Sequence, residues 1–274
     1  MFKCMVAGCI GIDLSWEEGL ALAAANGFEA VDLPLDPVKS AAHYRDALEA
    51  HGLRAGGAGL PVQFRTTDEE FEKTLAGLDA MAALADEIGC NRFYTWILPA
   101  SDELTFEENY RRHAERLSRC AEVLAAHGCR LGLEFVGPKT SRDGKKHAFI
   151  YTLGGMMKLA EDVGPNAGLL LDSWHWYTSH GTLEDLLALT DDDVVYVHVN
   201  DAPENVDVDA QKDNVRRLPG DTGVEDIAAF MDALVKMGYT GPVTPEPFVK
   251  ELKDMPPADA ARLAGEAMRK IWPE

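Results

Sequence analysis

His127-Gly128-Cys129-Arg130-Leu131-Gly132-Leu133-Glu134-Phe135-Val136 holds the punctuation that decides the fold. A helical pattern stops at Gly128, and glycine just past a helix end takes the left-handed conformation that closes the last turn. A short apolar run follows at once and reads as a buried strand. Near its end stands Glu134, a charge that is costly there unless it is paired or bound to a metal.

Working outward, the same glycine stop recurs at Asn26-Gly27-Phe28, His51-Gly52-Leu53, Ile88-Gly89-Cys90, Val163-Gly164-Pro165 and Met237-Gly238-Tyr239. Helix starts are marked by Ser15-Trp16-Glu17-Glu18, Thr67-Asp68-Glu69-Glu70, Thr105-Phe106-Glu107-Glu108 and Thr222-Gly223-Val224-Glu225. In each, a hydroxyl and a carboxylate three residues on fit a capping box. Strands are predicted over 3–10, 29–33, 53–59, 91–97, 130–136, 168–172, 194–199 and 242–247. Helices are predicted over 15–26, 37–51, 68–88, 105–127, 149–163, 182–190, 223–237 and 257–270. Strict alternation argues for a parallel sheet. Eight β-then-α units argue for closure, so the expected fold is α/β, a single (β/α)8 TIM barrel with residues 1–274 as one domain. A doubly wound open sheet usually needs a glycine-rich phosphate loop after an early strand, and Gly11-Ile12-Asp13-Leu14 is not one. Gly56-Gly57-Ala58-Gly59 lies within a strand and leads into Leu60-Pro61.

In a barrel the active site sits at the carboxyl ends of the strands. Glu134 stands there on the fifth strand, Asp172 on the sixth, His198 on the seventh and Glu246 on the eighth. Taken singly, each has an ordinary reading as an ion-paired or hydrogen-bonded strand-end residue. Together they form a mixed oxygen and nitrogen set suited to a divalent cation, Mn²⁺ first, with Mg²⁺, Co²⁺ or Zn²⁺ chemically reasonable. Without an ion the three carboxylates would repel one another.

The order Glu134 … Asp172-x-x-His175 … His198-x-x-Asp201 … Arg216-x-x-Pro219-Gly220 … Glu246-Pro247 resembles the xylose isomerase-like barrels. That family includes ketose epimerases, hydroxypyruvate isomerases and inosose dehydratases, and also the AP-endonuclease barrels. The resemblance implies that Glu134, Asp172, His198 and Glu246 bind the metal and that Glu134 and Glu246 move the proton. It implies substrate contacts from His175 and Arg216, with Asp201 supporting the ligands from behind. The expected function is a metal-dependent isomerase or epimerase of a sugar, keto-sugar or sugar derivative, working through an enediolate. The same intermediate serves a lyase if a β-hydroxyl leaves, so a keto-inositol dehydratase or a carbon–glycoside cleaving enzyme is the alternative. After Glu134, Phe135-Val136-Gly137-Pro138-Lys139-Thr140 departs from the ketose epimerases, which carry a further acidic residue there.

Other expectations come from the residues themselves. Trp96 and Trp174, with Trp176 and Tyr177, follow strands where a flat apolar face could stack on a sugar ring. Lys139 and Arg142 form part of a basic island and are candidates for a substrate anion. The stretch from Asn200 to Arg216 is long enough for a lid. A net charge of −20 opposes a nucleic-acid partner, and the AP-endonuclease reading would need extra histidines where Asp32 and Ala58-Gly59-Leu60 stand. A non-catalytic sugar-binding protein would have no need of the Glu134 and Glu246 pair. No apolar stretch approaches the ~20 residues of a membrane helix. Five cysteines without CxxC spacing read as buried thiols in a reducing cytoplasm. A small sugar is the expected partner, and a homo-oligomer is compatible with the sequence.

Overall fold

The computed structural model describes residues 1–273 and closes a parallel sheet into a barrel. In chain order the staves are Phe2–Met5, Ala30–Val31, the stretch 54–59, Arg92–Trp96, Arg130–Glu134, Ala167–Asp172, Val194–Val199 and Pro242–Pro245. The third stave is interrupted. Its first half, Arg54–Ala55, pairs with Ala30–Val31, and its second half, Ala58–Gly59, pairs with Phe93 and Tyr94. This break closes the ring, and the glycines within it are required by space. A Cβ at Gly57 would lie 2.8 Å from the Tyr196 ring and 3.1 Å from the Arg92 carbonyl.

The seventh stave, Val-Val-Tyr-Val-His-Val, is buried at every position, as expected of a strand covered on one side by barrel side chains and on the other by helices. Capping boxes open the helices Trp16–Ala25 and Phe106–Ala125 as their sequences predict. Thr67 also caps Asp68–Leu75, but the predicted 68–88 helix breaks at Ala76-Gly77 and resumes as Leu78–Ile88. The Thr222–Glu225 box does not form. Asp226 caps Ile227–Lys236 instead, and the amides of Thr222, Gly223 and Glu225 donate to Asp201.

The first strand ends at Met5, and Ala7–Ile10 forms a 3-10 turn. The predicted 182–190 helix shortens to Leu183–Leu187. Directly after the sixth stave the chain turns into a helix, Ser173–Thr178, capped by Asp172 itself. A two-residue antiparallel ladder, Ala100–Ser101 against His147–Ala148, ties together the loops after the fourth and fifth staves. Parallel register sets Trp96 beside Glu134, and His198 between Asp172 and Thr244.

Candidate metal centre

That register gathers the four sequence-predicted ligands. Glu134, Asp172, His198 and Glu246 each offer one atom, and these atoms all lie within 4.8 Å of one another. His198 Nδ1 stands 3.3 Å from Glu134 Oε1 and 3.4 Å from Glu246 Oε2. Even so, Glu134 Oε1 and both ring nitrogens of His198 are buried without hydrogen-bond geometry to any partner. Buried polar atoms are nearly always satisfied, so this donor set fits a divalent cation.

Electrostatics distinguishes the two glutamates. Burial raises Glu134 to about 8. Burial acts on Glu246 in the same direction, but the charges of His198 and Arg216 outweigh it and hold that carboxyl below its usual range. His198 lowers both carboxyls, and Glu246 is lowered further by Arg216. Its Nη1 donates to Asp172 Oδ2 and to Glu246 Oε2, both at 2.9 Å, and its Nη2 donates to Asp213 Oδ1 at 2.9 Å. Nε donates to the Asp213 carbonyl. The guanidinium carbon lies 5.4 Å from the Trp174 ring centre and 4.7 Å from that of Phe248. Phe248 adopts φ +44°, a left-handed conformation uncommon outside glycine, immediately after Glu246-Pro247. Asp172 is also anchored from behind, because Oδ1 accepts from the Trp174 amide and from Asn200 Nδ2.

A cleft of about 320 Å³ opens onto this centre, lined by Trp96, Glu134, His175, Asp213, Arg216 and Glu246 among others. His175 Nδ1 accepts from the Gly137 amide. In the neutral ring, favoured here because burial lowers its proton affinity, the proton is therefore on Nε2, near Asp172 and Asp213. Trp96 is 46% exposed at the mouth. The long segment from Asn200 to Arg216 does approach the cleft, through Asp213, Asn214 and Arg216. Its ends are pinned by a bridge between Asp201 and Arg217.

Other expectations are corrected by the fold. Trp174 is fully buried and packs on Arg216, so it cannot stack on a ligand in the cleft. Trp176 is also buried, against Phe230. Lys139 lies outside the cleft lining and pairs with Asp209 of the long segment at 3.0 Å. Arg142 donates to the Gly137 carbonyl and stacks on Tyr151. Asp201 touches no ligand side chain, because its carboxylate accepts the amides of Ala202, Thr222, Gly223 and Glu225. Asn200, one residue earlier, supports Asp172. Sequence reading also missed Asp213, and Cys9, whose thiol lies 3.5 Å from Glu246 Oε1. Neither belongs to a motif that spacing alone would reveal. The second-strand carboxylate, Asp32, is bound by the hydroxyls of Tyr94 and Tyr196 and stands apart from the ligand group.

Comparison with known proteins places this geometry. An inosose isomerase of Bacillus velezensis is 22% identical over 234 residues, spanning 85% of this chain and 80% of its own length. A xylose isomerase domain protein of Alicyclobacillus acidocaldarius superposes with a TM-score of 0.89 at 29% identity, covering 99% of this chain and 98% of that one. An IOLI protein solved with a bound zinc atom has the same fold at 20% identity and a TM-score of 0.81, covering 99% and 98%. The profile of the xylose isomerase-like TIM barrels matches residues 20–271, and the chain belongs to that family.

Proposed function

We propose that this chain is a metal-dependent isomerase or epimerase of a small, uncharged sugar, keto-sugar or cyclic polyol ketone. The observation that carries the reading is the convergence of Glu134, Asp172, His198 and Glu246 at the floor of a cleft both glutamates line. The four would hold a divalent cation, Mn²⁺ first, which when bound supplies Lewis-acid stabilisation of negative charge on substrate oxygen. The zinc in the IOLI protein and the inosose isomerase relative support that reading.

The chain's own groups do the rest. Arg216 is hydrogen-bonded to Glu246 and keeps it ionised, while Glu134 Oε1 has no such partner and is the more readily protonated. Two carboxyls whose proton affinities are pushed apart suit a base that takes a proton from carbon and an acid that returns one. His175 offers Nε2–H to a substrate hydroxyl or carbonyl. Each nitrogen of Arg216 already donates to a protein acceptor, and among the described residues no other arginine or lysine lines the cleft. A phosphate on the substrate would find no partner there, which supports an uncharged one.

The test is to incubate metal-loaded protein with keto-inositols and ketoses in deuterated water. Deuterium is expected beside the carbonyl of a product that has lost nothing, whereas loss of water would assign a lyase. Glu134→Gln and Glu246→Gln are each expected to lower turnover by about 10²–10⁴-fold with an unchanged circular dichroism spectrum. Full activity in either variant would remove that glutamate from proton transfer.

A further inference from the structure

A turn at the rim of the cleft brings in a carboxylate that belongs to no ligand set. The Val215 amide donates to the Lys212 carbonyl at 2.9 Å and closes a tight turn with Asp213 and Asn214 at its corners. Aspartate and asparagine favour such corners, because their short polar side chains bond to nearby backbone. Both residues line the cleft, and among the described lining residues Asp213 is the one carboxylate outside the four candidate ligands.

Asp213 is fixed in place before any ligand arrives. Arg216 Nη2 donates to its Oδ1 and Arg216 Nε to its carbonyl, both at 2.9 Å. Side chain and backbone of one residue thus grip one guanidinium, which is itself buried between Asp172 and Glu246. The Asp213 side chain, by contrast, is 32% exposed. Its Oδ2 takes no hydrogen bond from the described residues, and unlike Glu134 Oε1 it is not sealed from solvent. A carboxylate oxygen only accepts, so Oδ2 is an open, pre-placed acceptor. The rest of the lining leaves that role to it. Glu134 and Glu246 belong to the candidate metal centre, Trp96, Val136 and Phe248 present apolar faces, and Arg216 has its nitrogens engaged.

We infer that Asp213 sets the substrate specificity of this cleft. Oδ2 accepts a hydrogen bond from a hydroxyl on a carbon beyond the carbonyl and neighbouring hydroxyl that the metal centre takes. The class selected is therefore a polyhydroxylated ketone, because a ketone with the chelating pair alone leaves Oδ2 to water. A substrate anion at the same place meets a like charge, in keeping with an uncharged ligand. The inference rests on the reading of the cleft as a keto-sugar site.

The experiment loads the full chain with Mn²⁺ and measures ketone binding from the paramagnetic broadening of ligand proton NMR signals. Hydroxyacetone offers a carbonyl and a single neighbouring hydroxyl, whereas D- and L-erythrulose, D-fructose and scyllo-inosose add hydroxyls beyond that pair. Asp213→Asn keeps an oxygen for Arg216 and turns an amide NH₂ toward the cleft, so a donor replaces the acceptor. At least one of the longer ketones is expected to bind the parent about tenfold or more tighter than hydroxyacetone. The substitution is expected to erase that margin while hydroxyacetone binds both proteins alike, which reports an intact fold and metal centre. Should hydroxyacetone weaken too, Asp213→Glu replaces the first variant. It keeps a carboxylate for Arg216 but displaces the open oxygen, and the same selective loss is expected. A margin absent from the parent, or one that survives both substitutions, would overturn the assignment to Asp213 and leave the cleft reading standing. A parent that binds none of these ketones would sink the cleft reading itself, and the inference with it.

Discussion

Arg216 is 1% exposed and sits between Asp172, Glu246 and Asp213. Burying a guanidinium costs several kcal/mol unless its partners are well placed, and here three carboxylates meet Nη1 and Nη2 while the Asp213 carbonyl meets Nε. The residue is legible in the sequence only through its place in a motif, and its partner Asp213 is not legible at all. Glu134, Asp172, His198 and Glu246 are easier to find, because each interrupts an apolar run where a lone charge would be unfavourable. His113 gives a prediction at the same scale. Its ring is held neutral down to about 4, against about 6.5 in the unfolded chain. Between those values the unfolded state binds the extra proton. The contribution to stability is therefore complete above pH 6.5 and is lost as pH falls toward 4, reaching about 3 kcal/mol. In denaturant titrations, His113→Phe should lose about 2–3 kcal/mol less than the parent between pH 7 and pH 4.5. Parallel losses would mean that the buried ring is not neutral.

The third stave shows what an element can conceal. Its sequence, Arg54-Ala55-Gly56-Gly57-Ala58-Gly59, reads as one strand, yet it serves two neighbours in turn. Gly57→Ala would force a methyl against the Tyr196 ring and the Arg92 carbonyl, and should destabilise by about 1–3 kcal/mol. Gly59 has nothing within 4 Å of a built Cβ, so Gly59→Ala should cost little. Equal losses in the two variants would show that crowding is not what forbids a side chain at 57. Helix ends followed their local signals at Ser15 and Thr105, where the cap competes with nothing. At Thr222–Glu225 the same signal lost, because the buried Asp201 carboxylate recruits those amides first. The break at Ala76-Gly77 and the short helix after Asp172 carry no strong mark in the chain.

At the scale of the molecule, three staves deliver carboxylates and a fourth an imidazole to one point, and the barrel must be stable against the repulsion among the carboxylates. A cation bound only by the folded state contributes RT ln(1 + [L]/Kd), about 2.7 kcal/mol at a hundredfold excess over Kd. Chelation of the purified protein should therefore lower Tm by roughly 5–10 °C, and Mn²⁺ should restore it in differential scanning calorimetry. An unchanged Tm would indicate that Arg216 and His198 alone balance the carboxylates.

Order along the chain is enough to establish the alternation of strands and helices, the barrel and the positions of the four candidate ligands. Apolar period, glycine stops and misplaced charges are local, and each can be read within a few residues. Only the closed ring decided which neighbours those residues meet. It took Trp174 and Lys139 away from the cleft, brought Asp213 to its wall and the Cys9 thiol against Glu246, and placed three arginines around His113. Those contacts join segments distant in sequence, and their energies depend on separations that no local pattern encodes.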